Sequence, residues 1–360
     1  MITISLCMIV KNEEDVLARC LDSIKDTVDE IIIVDTGSTD STKDIARKYT
    51  NKVYDFEWVQ DFSAARNESF SKATCDYQMW LDADDVFPQE SAAQLLELKK
   101  TLAPAVDIVT MKYHTHYDAH GNPILISTRE RLIRRDKGLM WQDPVHECIP
   151  LIGNVQYSDI EVHHKKVKHE ANSTRNLDIY KNLEKCGKSF TPRQLYYYAR
   201  ELKDHGMWAD ASSYFEQFLA TQKGWVEDNI AACYNLSICY NMLGYQEKTL
   251  PILLKSFAYD APRAEICCQL GYYYTRMSNY AVALKWFQVA ANLGPISSAG
   301  FILQDYWGYI PNVECCVCAC NLGDYVSANI YNERAAVFKP DSAAVKINRE
   351  YLAAMVEKWV

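Results

Sequence analysis

The first 115 residues alternate short apolar runs with polar stretches that suit helices. The apolar runs are rich in β-branched and aromatic residues, which is typical of strands. They are ITISLCMIV at 2–10, EIIIVD at 30–35, KVYDFEW at 52–58 and YQMWLD at 77–82. Strands alternating with helices predict an α/β domain with a Rossmann-like, mainly parallel sheet and helices on both faces. In such sheets ligands bind beyond the carboxyl ends of the strands.

A helical repeat follows beyond residue 194. Gly206, Gly244, Ser278 and Gly323 each precede a short turn and a helix-like run, at spacings of 38, 34 and 45 residues. These spacings are close to the 34-residue tetratricopeptide period with insertions. In the third unit the residues that fit this repeat are Leu270, Gly271, Tyr274, Tyr280, Ala283, Phe287, Ala290 and Pro295. The pattern predicts an all-α domain in which the aromatic residues are mostly core and a concave surface is left for a partner.

The domain boundaries follow from these patterns. We predict an α/β domain over 1–165, a charged connecting segment over 166–193 and a helical domain over 194–360. Within the first domain, the strand-like runs at 106–117 and 124–135 are separated by DAHGNP, which predicts a hairpin beside the sheet that forms one wall of the site.

Composition and charge exclude several classes of protein. The net charge is −9, and no basic run is longer than HHKKVKH at 163–169, which argues against a nucleic-acid partner. The apolar N-terminal stretch ends at the charged residue Lys11 and has neither a basic start nor a cleavage pattern. It therefore predicts a buried strand and not an export signal. No run approaches the roughly 18 apolar residues of a transmembrane helix. The 13 cysteines are therefore expected to be reduced thiols in a cytoplasmic protein.

The cysteine-rich stretch CCVCAC at 315–320 is the strongest alternative metal site in the sequence. If the stretch is helical, its four thiols spread around the helix axis and cannot converge on one ion. We therefore interpret these cysteines as small, buried helix residues.

Three strands of the first domain end in polar side chains. Lys11, Asn12 and Glu13 follow the first strand, Asp35 ends the second, and Asp82, Asp84 and Asp85 follow the fourth. Because the carboxyl ends of parallel strands meet at one edge, the three clusters predict a ligand cleft. Carboxylates as close as those in LDADD repel one another unless a cation lies between them.

Four motifs together resemble the family 2 glycosyltransferases, which have the GT-A fold and use a nucleotide-sugar donor. They are CMIVKNEE at 7–14, IIIVDTGSTDST at 31–42, DFSAARNES at 61–69 and LDADD at 81–85, in the order and spacing of that family. With VHE at 145–147 and the C-terminal repeats, the chain also resembles bacterial peptide and protein glycosyltransferases. Bacteriocin S-glycosyltransferases and flagellin glycosyltransferases belong to that group.

The resemblance implies a nucleotide pocket at the ends of the first two strands. The backbone of Met8 to Val10 and the Asp35 carboxylate would hold the base and ribose, usually of uridine, since a carboxylate can accept a hydrogen bond from the uracil ring. The alternative for Asp35 is a helix cap or Asx-turn. Lys11, Asn12 and Glu13 would lie against the donor, the alternative for Lys11 and Glu13 being ordinary first-turn positions.

The resemblance also implies a D-x-D element made of Asp82, Ala83 and Asp84 that holds Mg²⁺ or Mn²⁺ on the donor diphosphate. Asp84 is the first candidate ligand, with Asp82 nearer the ribose and Asp85 behind them. His164, or its neighbour His163, would supply a third contact. The alternative is a solvated acidic turn that caps the next helix.

Arg66 and Asn67 would lie near the donor phosphates, where a guanidinium binds oxygens bidentately. A surface salt bridge is the alternative.

The resemblance also implies that the base needed for inverting transfer lies in WQDPVHECI at 141–149. Glu147 is the first candidate and Asp143 the second, while His146 would orient its neighbour. The sequence therefore predicts a metal-dependent inverting glycosyltransferase of the hexosyltransferase class that moves a sugar, most simply from UDP, to a peptide or protein side chain.

The helical repeats would present that acceptor or mediate self-association into a homo-oligomer. Three alternatives stay open: a lipid-linked or polysaccharide acceptor, a non-catalytic repeat scaffold, and a nucleotidyltransferase. The identity of the sugar and the type of acceptor residue are also open.

Overall fold

The computed structural model describes residues 1–117, 121, 123–166, 173–294 and 302–356. The chain forms two compact units, Met1–Lys188 and Ser189–Val360. The division falls inside the predicted connecting segment, 166–193, and a helix at Arg175–Lys185 from that segment belongs to the first unit.

The first unit is built on one mixed sheet. Its strands are β1 (Ile4–Val10), β2 (Glu30–Asp35), β3 (Val53–Asp55), β4 (Tyr77–Trp80), β5 (Asp85–Val86), β6 (Ile108–Tyr117), β7 (Pro123–Arg134) and β8 (Val155–His164). The spatial order is β3-β2-β1-β4-β7-β6-β8-β5. The pairs β1–β2, β2–β3, β1–β4 and β6–β8 are parallel, whereas β4–β7, β6–β7 and β5–β8 are antiparallel. The parallel prediction therefore holds for the first half of the sheet.

The predicted hairpin is confirmed as the antiparallel pair β6–β7. It lies within the sheet and not beside it, because β7 pairs with β4 and so joins the two halves. The tip of the predicted turn, at 118–120 and 122, lies outside the described residues.

Helices cover both faces of the sheet. They are α1 (Leu17–Ile24), α2 (Thr42–Ala46), α3 (Phe62–Ser71), α4 (Gln89–Thr101) and α5 (Arg175–Lys185), with a single 3₁₀ turn at Arg135–Lys137. In α1 the buried residues recur at the spacing of one helix face, Leu17, Cys20, Leu21 and Ile24. They pack on the β1 face that carries Leu6 and Met8.

The second unit is helical. Its helices are α6 (Pro192–Asp204), α7 (Trp208–Thr221), α8 (Val226–Leu243), α9 (Gln246–Lys255), α10 (Ala264–Arg276), α11 (Tyr280–Asn292), α12 (Tyr309–Asn321), α13 (Tyr325–Phe338) and α14 (Ala343–Val356). One-turn 3₁₀ helices lie at Ser256–Ala258 and Gln304–Tyr306, and β9 is the two-residue strand Ile302–Leu303. Consecutive helices pack in pairs, α6 with α7, α8 with α9, α10 with α11 and α12 with α13. The second helices of the pairs begin at 208, 246, 280 and 325, so the predicted spacings of 38, 34 and 45 residues are confirmed.

The third pair shows why the repeat needs a glycine. A Cβ on Gly271 would lie 2.5 Å from the ring of Phe287, which is fully buried between α10 and α11. Pro295, the last residue of the predicted pattern, lies outside the described residues.

The cysteine-rich stretch is helical, as predicted, and lies on α12. Cys315, Cys316 and Cys318 are buried, and burial raises the pKa of the Cys316 thiol to about 12. Among the described residues, no cysteine belongs to a cluster with the geometry of a metal site.

Candidate functional site

A cavity of about 720 Å³ lies in the first unit, at the carboxyl ends of β1, β2 and β4. This is the sheet edge at which the sequence predicts a ligand cleft. The predicted site residues that line it are Val10, Lys11, Asn12, Glu13, Arg66, Asp82, Ala83, Asp84, His146, Glu147 and His164. Three other predicted residues, Met8, Asp35 and Asp143, are not part of the lining.

Met8 and Asp35 are buried beneath the cavity floor. The side chain of Met8 packs in the sheet core. The Asp35 carboxylate accepts hydrogen bonds through Oδ1 from the backbone N–H groups of Gly37 and Ser38, at 3.0 and 2.8 Å. This is the Asx-turn alternative. Its other oxygen, Oδ2, is buried and has no hydrogen-bond partner in the structure, so the turn uses only one of the two carboxylate oxygens.

The loop after β1 is fixed to the loop after β2 by polar contacts. Asn12 adopts a left-handed conformation, with φ of 56°, and its Oδ1 accepts a hydrogen bond from Thr39 N at 2.8 Å. Asn12 N donates to Ser38 Oγ at 2.9 Å, and Glu13 N donates to Thr42 Oγ1 at 2.7 Å. These bonds hold the side chains of this loop at the cavity mouth.

The cavity concentrates negative charge on one side. Burial and the neighbouring carboxylates of Asp84 and Asp82 raise the pKa of Glu13 to about 7. Such mutual repulsion favours either a proton or a bound cation among the three groups.

The side chain of Asp85 fixes the position of the turn formed by residues 82–85, called the acidic turn below. Its Oδ2 accepts hydrogen bonds from Asp82 N at 3.0 Å and from Arg131 Nη1 at 3.1 Å. Its Oδ1 accepts from Tyr113 Oη at 2.8 Å. Both Asp85 and Arg131 are fully buried, so this ion pair sets the position of the turn and is shielded from solvent.

Asp84 and His164 both line the cavity, where their side chains are 17% and 24% exposed. His164 Nδ1 lies 3.2 Å from Asp84 Oδ1 and 3.2 Å from Asp85 Oδ1. Burial disfavours the imidazolium, but hydrogen bonds to the two carboxylates outweigh it and raise the pKa of His164 to about 10.

The spacing of this cluster is compatible with a divalent cation. The three ligand atoms of Asp84, Asp85 and His164 lie within 4.8 Å of one another. Two carboxylates and one imidazole suit Mn²⁺, and carboxylates with water suit Mg²⁺. Asp82, a predicted ligand, is not part of this cluster, whereas Asp85 is.

Arg66 connects the acidic turn to the predicted base. Its Nη2 donates to Asp82 Oδ1 at 2.7 Å and its Nε donates to Glu147 Oε1 at 2.6 Å. Burial opposes the charge of Asp82, but Arg66 and then Arg131 outweigh it and lower the pKa of Asp82 to about 2. Arg66 is buried, so the surface salt bridge considered as an alternative is wrong for this residue. Its third nitrogen, Nη1, is buried without a hydrogen-bond partner.

Two tryptophans hold Arg66 in place. The guanidinium carbon lies 4.9 Å from the ring centre of Trp80 and 4.8 Å from that of Trp141. Arg131 is on β7, at a point where the register against β6 shifts, and lies 3.6 Å from the centre of the Trp80 ring. Aromatic faces attract cations, so these rings stabilise the buried charges. The sequence analysis missed Trp80, Trp141 and Arg131.

The loop at 142–148, which carries the predicted base, has a strained backbone and is held to α3 by hydrogen bonds. Gln142 and Cys148 form an antiparallel bridge at its ends, and Asp143 and His146 both have positive φ, 70° and 54°. Asn67 of α3 pairs with the backbone of Trp141 through both its side-chain atoms. Asn67 therefore fixes this loop and does not line the cavity. Backbone strain of this kind is held by its surroundings and is concentrated at functional sites.

Further charged and aromatic residues complete the cavity. Arg129, Lys166 and Arg175 provide positive charge, and Trp58 and Phe62 provide an aromatic wall with ring centres 4.7 Å apart. The sequence analysis missed all five. Arg175 in particular lies in the segment predicted to connect the domains.

Among the described residues, none of the helices combines the length and apolar composition that a bilayer crossing requires.

Comparison with known proteins shows what the first unit is similar to. Residues 5–152 match the family model described as glycosyl transferase family 2. A tetratricopeptide repeat-containing protein of Synechococcus elongatus is 37% identical over 150 residues, which are 41% of this chain and 36% of that protein. The glycosyltransferase SunS of Bacillus subtilis is 28% identical over 215 residues, 56% of this chain and 49% of that protein.

The chain thus spans between about a third and a half of the length of these curated relatives. Among solved structures, a tetratricopeptide protein of Thermus thermophilus superposes with a TM-score of 0.37 at 16% identity, over 50% of this chain and 90% of that one.

Proposed function

We propose that this chain, in which residues 5–152 match the family model described as glycosyl transferase family 2, moves a sugar from a nucleotide-diphosphate donor to a peptide or protein side chain. The observation that carries the proposal is the convergence of Asp84, His164 and Arg66 in one cavity at the carboxyl ends of the strands. Acidic ligands for a cation and fixed positive groups in the same cavity are what a diphosphate requires.

The donor would lie along the cavity with its diphosphate at the acidic turn. Asp84 and His164 would hold Mn²⁺ or Mg²⁺, Asp85 would keep them in place, and Lys166 or Arg175 would contact the phosphate oxygens. The ion supplies charge neutralisation for the leaving diphosphate. The uridine base would lie near Val10, with the unpaired Oδ2 of Asp35 as the acceptor for its ring N–H.

The chemical step needs an acceptor nucleophile on the opposite side of the sugar. The nucleophile attacks the anomeric carbon, the bond from that carbon to the diphosphate oxygen breaks, and its electron pair leaves with the nucleoside diphosphate. Glu147 would take the acceptor proton, with Arg66 holding its carboxylate in position. His146 also lines the cavity and is the alternative base, while Asp143 does not line it.

The peptide or protein acceptor is supported by the second unit. Stacked helix pairs of this repeat type form extended surfaces that suit a polypeptide. A cysteine acceptor is already a few per cent thiolate at pH 7, whereas a serine hydroxyl needs a base. Glu147→Gln would therefore reduce transfer to a serine peptide more than transfer to the matched cysteine peptide, and equal losses would contradict this part of the proposal.

The deciding experiment is the release of nucleoside diphosphate from a panel of nucleotide sugars by the purified full chain with Mn²⁺ or Mg²⁺. Metal-dependent release from one sugar, lost in Asp84→Ala and retained in the exposed control Asp44→Ala, supports the proposal. Absence of release, together with no calorimetric binding of UDP, would favour a non-catalytic scaffold. Release of pyrophosphate from a nucleoside triphosphate would instead indicate a nucleotidyltransferase.

A further inference from the structure

A second cluster of metal-ligating side chains lies on β6 and β8. It consists of His114, Glu161 and His163, and His114 is in register with His163 across the parallel pair. Successive residues of a strand point to opposite faces, so His163 lies on the face opposite to His164. None of the three residues lines the cavity described above.

The geometry of this cluster suits one small ion. His163 Nε2 lies 2.9 Å from Glu161 Oε2, and His114 Nδ1 lies 3.8 Å from the same oxygen. Zinc bonds of about 2.0–2.2 Å at tetrahedral angles place ligand atoms roughly 3.3 Å apart. The two observed separations lie on either side of that value. The ligand atoms of all three residues lie within 4.8 Å of one another, so binding would draw them together by up to about 1.5 Å.

A separate observation concerns the hydrogen bonding of His114. His114 is only 5% exposed, and neither of its ring nitrogens has a hydrogen-bond partner in the structure. Its ring stacks on that of His163 with centres 4.8 Å apart and planes at 21°, a contact that satisfies no ring nitrogen. Buried polar groups are almost always paired, and a metal ion is a partner for an imidazole nitrogen.

The other two residues give access to solvent. The side chains of Glu161 and His163 are 40% and 25% exposed. Positive charge nearby is partly compensated, because Lys112 pairs with Asp159 at 2.7 Å and Lys165 lies over the Tyr117 ring. An ion can therefore reach His114 from the exposed side of the cluster.

We propose that His114, Glu161 and His163 form a second divalent-cation site that prefers Zn²⁺. Two imidazoles and one carboxylate are a known type of zinc ligand set, with a fourth position left for water. The acidic turn, by contrast, offers mostly carboxylate oxygens and suits harder ions. The bound ion would cross-link β6 to β8, one residue from His164.

The test is a calorimetric titration of the chelator-treated full chain with Zn²⁺ alone. The wild type is expected to bind one equivalent of Zn²⁺. His163→Gln and Glu161→Gln should each lower the affinity for that equivalent by roughly 100-fold, since even indirect contacts to a metal change its affinity by 10- to 100-fold. His116→Gln, which changes an exposed histidine of the same strand, should bind as the wild type does. Asp84→Asn should also retain this equivalent, because Asp84 belongs to the other cluster.

Two further readouts keep the result unambiguous. Zn²⁺ should raise the unfolding temperature of the wild type but not that of Glu161→Gln, a partly exposed position that tolerates the change. Co²⁺ should give a tetrahedral spectrum without thiolate charge transfer. No binding, equal affinity in all four variants, or a thiolate band would overturn the proposal. Because the titration uses Zn²⁺ alone, its outcome is independent of the proposed sugar transfer.

Discussion

The two units of the chain bury different kinds of side chain. Among the described residues, the buried Asp, Glu, Lys and Arg side chains of the first unit are Asp35, Arg66, Asp85, Lys99, Asp107, Glu130 and Arg131, and those of the second unit are Asp228 and Arg263. The second unit is packed mainly with aromatic, alanine and cysteine side chains. Burying a charge costs free energy unless it is paired, and three of these residues, Arg66, Asp85 and Arg131, form ion pairs at the proposed site. Lys99 and Asp107 pair elsewhere in the unit.

The contrast between the two units predicts that mutation of the acidic turn causes the largest loss of activity. Asp84→Asn removes a cation ligand with little change in size, so sugar release or transfer should fall on the order of 10³-fold, with several kcal/mol of metal stabilisation lost. The unfolding temperature should change little, because Asp84 lies at the cavity surface. Steady-state kinetics and thermal unfolding measure the two effects.

Asp44→Asn is the matched control, since among the described residues its exposed carboxylate pairs with Arg47, three positions along the chain. Activity in Asp84→Asn within about tenfold of the control would show that the carboxylate does not hold an essential ion.

A buried aromatic residue of the second unit should behave in the opposite way. Phe287→Ala removes the ring that packs against Gly271 and should lower the free energy of unfolding of the second unit by about 3–5 kcal/mol. Nucleotide-sugar hydrolysis should persist, because the cavity residues belong to the first unit.

Denaturant unfolding followed by circular dichroism measures the change. The exposed residue Val326 on α13 provides the control, and Val326→Ala should cost less than about 0.5 kcal/mol. If Phe287→Ala abolished hydrolysis under conditions in which the second unit is still folded, the claim that activity resides in the first unit alone would be wrong.

Arg66→Lys tests whether the buried guanidinium positions its two carboxylates. A lysine keeps the charge but cannot donate to Asp82 and Glu147 in one rigid arrangement, so kcat should fall roughly 10²-fold. Arg47→Lys, at an exposed position, should leave kcat unchanged. Equal values of kcat for Arg66→Lys and the wild type would mean that charge alone is sufficient.

A smaller effect is expected at Glu30, which forms an ion pair with Lys52 and does not line the cavity. Burial raises the pKa of its carboxyl, but hydrogen bonds from Lys52, Ser5 and Thr74 outweigh it and lower the pKa from 4.5 to about 2. The folded state therefore binds this proton more weakly than the unfolded state. The resulting stabilisation is present above about pH 5 and is lost as the pH falls towards 2.

Glu30→Gln should reduce the free energy of unfolding at pH 7 by about 1–2 kcal/mol, a difference that shrinks below pH 4.5. Urea unfolding across this pH range measures it, with the exposed position Glu97→Gln as control. A difference independent of pH would show that packing, and not the ionised carboxylate, is responsible.

The sequence predicted the elements better than their contacts. Strands β1, β2 and β4 and the four helix pairs follow from local patterns, because buried parallel strands and repeated helices have clear apolar periods. The antiparallel insertion of β7 was missed, since the strand pairing of a hairpin with a distant strand leaves no local pattern. The same reason applies to the site: Asp84 and Glu147 occur in motifs, whereas Trp141 and Arg131 become relevant only through long-range contacts.

The central claim is that the cavity binds a nucleoside diphosphate through a cation at Asp84. Calorimetric titration of UDP into the full chain, with Mn²⁺ and then with a chelator in its place, tests it most directly. We expect binding with Mn²⁺ that is lost with the chelator and in Asp84→Asn, and retained in Asp44→Asn. UDP binding of equal affinity with and without Mn²⁺, or no binding under either condition, would contradict the account.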